Sequence, residues 1–167
     1  LIICDDWRFD SARSRGVGYN WALNDLCRGM MTTIKGSESG ATVRNRLSKS
    51  IVLAIRLLMR QQSPDALSRD LAAYVVLALE KIAESVEVSA SAWEKRDYWL
   101  KADRFRQEWA WCERSAKALA SALRSNDWTG TAQSLAEIGQ RLSAVEVSQN
   151  NRLGEPWKGA WEIFLRR

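Results

Sequence analysis

IVLAIRLLMRQQSPDALSRDLAAYVVLAL, residues 51–79, holds two apolar runs separated by one turn signal. Ile51-Val52-Leu53-Ala54-Ile55 and Leu71–Leu79 are each apolar all round at helical spacing, and a helix without a polar face is enclosed by neighbours on most sides. Ser63-Pro64 between them is a helix start, because serine caps and proline is welcome at the first helical position. Two buried helices joined by so short a link form an antiparallel hairpin. The runs place the second helix over about Thr42–Gln62, with Leu47, Ile51, Ala54 and Leu58 as its stripe, and the third from Ser63-Pro64 to about Val88.

Outward from this hairpin the pattern stays helical. Towards the N-terminus, Gly36-Ser37-Glu38-Ser39-Gly40 is a polar loop, and Ala22, Leu26, Met30 and Ile34 give a first helix over Tyr19–Lys35. Residues 1–18 read as an irregular arm around Trp7 and Phe9; residues 19–167 read as one domain. Towards the C-terminus no Gly or Pro interrupts Asp65–Thr129. The apolar phase nevertheless shifts between Trp93 and Tyr98, which calls for a turn or kink. Ser91 and Glu94 match a capping box, so the fourth helix is expected over about Ala92–Ser125. Its seam is Tyr98, Ala102, Phe105, Trp109, Cys112, Ala116, Leu119 and Leu123, stepping by four and three. Asn126-Asp127 ends it, Asp127 caps a fifth helix with Leu135, Ile138, Leu142 and Val145, and a short helix carries Trp157, Trp161 and Phe164. The fold class is therefore all-α: a bundle of about five main helices with a short C-terminal one, built round the central hairpin.

Composition narrows the chemistry. The 167 residues include nine tryptophans and no histidine. Without histidine there is no Ser-His-Asp or Cys-His nucleophile, no HExxH zinc site and no Glu-x-x-His di-iron set. Cys4, Cys27 and Cys112 are odd in number and form no CxxC, so neither a disulfide framework nor a thiolate metal site is expected. Reduced thiols and the lack of a targeting segment point to the cytoplasm. The longest apolar run has nine residues, where a membrane span needs about 20. No cofactor, no metal and no catalysis are expected.

Glu84/Glu87 and Glu94/Asp97 are each spaced by three, so each pair shares a helix face. The spacing resembles in part the ExxE and ExxD pairs with which all-α nucleotide pyrophosphatases of the MazG type hold magnesium. Here six residues separate the pairs and the double glutamate that opens that motif is missing. A magnesium-dependent nucleotide hydrolase is accordingly the third reading, behind two kinds of binding protein.

The first of these is a protein-interaction module. Tryptophan is among the residues most enriched in binding hot spots. Counting 100° steps from Phe105 puts Trp109 on the seam and Trp93 and Trp111 roughly 120° from it on one line, with Leu100, Ala118 and Ala122 nearby, a second packing stripe for another helix of the same chain or for a partner. Trp99 falls on the opposite flank near Asp103, Arg106 and Lys117 and is the tryptophan expected to be exposed. Trp93, Trp99, Trp111, Trp157 and Trp161 are thus the candidate contacts to a protein partner or a second copy. The alternative is nucleic acid. The net charge of +5 lies wholly in residues 1–60, which hold ten Lys/Arg against five Asp/Glu. Arg46, Lys49, Arg56 and Arg60 share one line on the second helix, broken by Leu53, and Arg13 and Arg15 stand in the arm. Such a line can track phosphates.

Overall fold

The computed structural model describes residues 38–148 and 153–167. The arm with Arg13 and Arg15, the first predicted helix, Cys4 and Cys27 lie outside the described residues. Among the described residues there are five helices and no strand. They are α1 (Gly40–Leu58), α2 (Ala66–Glu94), α3 (Trp99–Arg124), α4 (Trp128–Arg141) and α5 (Ala160–Leu165).

The central element is α2. All nine residues of Leu71–Leu79 are buried, as a run without a polar face requires. It packs along α1 on one side and, more extensively, along α3 on another, and α5 also rests on it. The contacts with α1 run antiparallel. Arg44 near the start of α1 meets Ser85 and Ser89 near the end of α2, and Ser50 shares a 2.7 Å hydrogen bond with Tyr74 earlier in α2. The hairpin expected from residues 51–79 is therefore present. The layer against α3 is built by the predicted seam: Ala102, Cys112, Ala116, Leu119 and Leu123 are all buried. Burial pushes the Cys112 thiol up to about 12, leaving it a small apolar filler.

Local chemistry sets the ends, in places one step away from the expected residue. Ser39 caps α1, its hydroxyl accepting the Thr42 N–H. Asp65, not Ser63, caps α2: its carboxylate accepts from both the N–H and the hydroxyl of Ser68 at 2.8 Å. A carboxylate with two bonds outcompetes a serine hydroxyl, and Pro64 is left in the link before the cap. Asp127 caps α4 as expected, accepting the Gly130 N–H at 3.0 Å.

The largest departure is at the break between α2 and α3. The Ser91–Glu94 signature does not open a helix. Instead α2 continues through Glu94, and the Ser91 hydroxyl bonds back to Glu87. Asp97 then adopts a left-handed conformation (φ 64°), with Tyr98 N–H donating to the Trp93 carbonyl and Asp97 N–H to that of Glu94. That pair of bonds is a Schellman stop. The same device ends α3, where Asn126 (φ 53°) is left-handed, Asp127 N–H donates to Ala122 and Asn126 N–H to Leu123. Both stops use Asp or Asn where glycine is the commoner choice, so a search for glycine sees neither.

The C-terminal segment is held by one residue of α2. Asp70 accepts the N–H groups of Gly159 (3.3 Å) and Trp161 (2.9 Å), the otherwise unpaired donors at the start of α5. No described helix is long and apolar enough to cross a membrane.

Candidate functional site: an aromatic corner between α2 and α3

The turn at 95–98 brings the last turn of α2 against the first turns of α3. Trp93 meets the Phe105 ring edge-on, with centroids 4.9 Å apart, and the Lys101 ammonium lies 4.5 Å above the Trp93 ring. Phe105 continues to Trp109 at 6.4 Å, and the Arg44 guanidinium of α1 covers both rings at 4.9 and 5.9 Å. Arg44 donates to the Ser85 and Ser89 hydroxyls, so this basic residue belongs to the packing rather than to a free face. Partial burial pushes its pKa down, opposed by the charge of Glu108.

Beside this layer lies an open cavity of about 740 Å³, lined by Trp93, Phe105 and the three consecutive residues Tyr98, Trp99 and Leu100. Those three are 58%, 60% and 65% exposed. All three border the same cavity, so their exposed surfaces meet at one place. The reason they stay outside is angular. Neighbours on a helix point 100° apart, so three successive large side chains cannot all reach one core. Asp97, Lys101, Arg104 and Glu108 border the same cavity.

Trp99 is exposed, as its polar neighbours predict. Two expectations fail beside it. Tyr98, placed on the seam, faces outward, and Leu100 is exposed as well. The line itself does not exist, because the break at 95–98 puts Trp93 on α2 and Trp111 on α3. Trp111 is half-buried on its own. Trp157 is 5% exposed and meets Tyr74 edge-on at 6.4 Å, which makes it part of the core. Trp161 is half-buried, stacked on Phe164 at 5.5 Å beneath the Arg69 guanidinium. Of the five tryptophans, Trp93 and Trp99 come together at one site.

Three of the four acids at the magnesium spacing, Glu84, Glu87 and Glu94, are held in ion pairs, and Asp97 borders the cavity. Arg106 forks between Glu87 (2.7 and 2.8 Å) and Glu94, and these bonds hold both carboxyls below their usual range while raising the guanidinium. Glu84 pairs with Lys81 and Glu80 with Arg167. No described group of three acidic or thiol side chains converges to hold a metal ion. The magnesium spacing is thus met by an arginine clamp, which joins α2 to α3.

On α1 the basic line is present in part. Arg46 pairs with Glu38 at 2.8 Å. Arg56 and Arg60 are exposed, Lys49 is half-exposed, and none of these three makes an ion pair among the described residues. Comparison with protein-family models, with curated proteins and with solved structures finds no match for this chain.

Proposed function

We propose that the protein is a helical interaction module that contacts another protein chain through the Trp93/Tyr98-Trp99-Leu100 corner. The observation that carries this reading is the exposure of three consecutive large apolar side chains on a fixed scaffold. The corner is fixed by a hydrogen-bonded helix stop, by the Trp93–Phe105 contact and by the Arg106 clamp. Rigid aromatic anchors lose little side-chain entropy on binding, which is why they dominate hot spots.

The test is a photoreactive phenylalanine analogue placed at position 99 in cells that express the protein. The expected result is a discrete protein adduct that is lost when Leu100→Asp is added. Diffuse labelling, or none, refutes the reading. A second reading draws on Arg56, Arg60 and Lys49, which are aligned without an ion pair. It takes this face as a phosphate-tracking surface. It expects RNA or DNA binding that persists at physiological salt and falls in the double variant Arg56→Glu, Arg60→Glu.

A further inference from the structure

We infer that residues 154–167 form a strap that lifts off α2 as a unit while the four longer helices stay folded, with Asp70 as its latch. The strap shares no residue with the aromatic corner. Its helix, α5, has six residues. In water an isolated helix is marginal even at about 12–15 residues, so α5 holds its shape only through what it lies on. That support is narrow. Only Trp157, Ala160 and Phe164 of the segment are buried.

The bonds of the segment divide into two sets. Lys158–Glu155, Arg166–Glu162 and the Trp161–Phe164 stack are internal and travel with it. So do the backbone bonds from Ala160 to Trp157 and from Ile163 to Gly159. The ties to the bundle lie near its two ends. Asp70 takes the N–H groups of Gly159 and Trp161, with Arg69 over the Trp161 ring, and Glu80 pairs with Arg167. Between them Arg124 of α3 lies 5.0 Å from the centre of the Phe164 ring. Gly154, ahead of Trp157, is left-handed (φ 67°), and a Cβ there would meet nothing within 4 Å. The chain can therefore swing at Gly154 without moving a packed neighbour.

The bundle keeps its own core without the strap. Ile51, Leu79, Leu119 and Ile138 are fully buried, one on each of the four longer helices, and those helices pack on one another. Opening the strap exposes a small part of the surface that unfolding exposes, which is the condition for a separate local transition. It has a specific consequence. Trp157 closes over Tyr74, whose hydroxyl bonds Ser50 and so ties α2 to α1. The closed strap covers that tie; the open strap uncovers Tyr74 and frees Trp157 and Phe164.

The test is native-state hydrogen exchange of the full chain at urea concentrations below the unfolding transition. The amides of Ile163 and Arg166 should exchange through an opening that responds weakly to urea. Those of Leu71–Leu79 should need an opening that responds steeply. One shared opening with one urea slope overturns the strap. Asp70→Asn removes the charge and replaces one acceptor oxygen with an amino group, and it should speed exchange at Ile163 at least tenfold; unchanged exchange overturns Asp70 as the latch. Ile138→Val loosens the core on α4, away from the strap. It should speed the α2 amides several-fold and leave Ile163 unchanged, whereas equal acceleration of both overturns the strap.

Discussion

Two leucine truncations of identical chemistry separate the core of this protein from its proposed contact surface. Leu79 on α2 is fully buried and Leu100 on α3 is 65% exposed. Truncating a buried leucine removes its transfer free energy and leaves a cavity, so Leu79→Ala should cost about 3–5 kcal/mol. Leu100 has only about a third of its surface to lose. Full burial of a leucine contributes roughly 1.5–3 kcal/mol, so Leu100→Ala should cost about 0.5–1 kcal/mol, with no closed cavity to add to it. The assay is urea unfolding followed by circular dichroism, at low protein concentration so that self-association does not add to the apparent stability. Leu79→Ala should lower the midpoint strongly at unchanged slope, and Leu100→Ala should stay close to wild type. If Leu100→Ala costs as much as Leu79→Ala, Leu100 is buried within the monomer. The corner is then no contact surface.

Three further outcomes test the elements that build the corner and its scaffold. Asn126 sits in the left-handed region that ends α3, where a β-branched residue is strained, so Asn126→Val should cost about 1–2 kcal/mol while Asn126→Gly is neutral or slightly stabilising in the same unfolding assay. Arg106 holds the carboxyls of Glu87 and Glu94 below their unfolded values. The stability this supplies is fully present above about pH 4.3, the usual glutamate value, and is lost as pH falls through the lower folded values. Unfolding of Arg106→Gln should accordingly fall less steeply than wild type between neutral and acid pH; an identical slope would show that the clamp does not form. The buried bond between Tyr74 and Ser50 makes Tyr74→Phe a loss of about 0.5–1.5 kcal/mol, read as a lowered thermal midpoint.

The alternation of apolar and polar residues already contained the helices. Residues 51–79 encode two helices that must be enclosed, because apolar surface on every side leaves no face for water. The three-four spacing of Ala102, Cys112, Ala116, Leu119 and Leu123 encodes the buried side of α3. The polar neighbours of Trp99 encode its exposure. Each is a property of one helix, read by rotating along it. Asp127 as a cap was equally legible, because its partner is only three residues away.

Only the tertiary structure decided how the helices meet. A periodic pattern states which face is apolar, not which neighbour covers it. The break at 95–98 rests on a left-handed Asp97, a conformation that Asp signals far more weakly than Gly, and it moved Trp93 off the helix that carries Trp111. Arg44 carries no sign in the sequence of the Phe105 and Trp109 rings that α3 brings beneath it. Glu87 and Glu94 fall on a magnesium-like spacing in the sequence, and only the packing of α3 puts Arg106 between them. Asp70 holds backbone donors at Gly159 and Trp161, far along the chain. These are contacts between residues distant in sequence, whose geometry depends on how whole helices pack. The spacing of residues along one chain carries no record of that geometry.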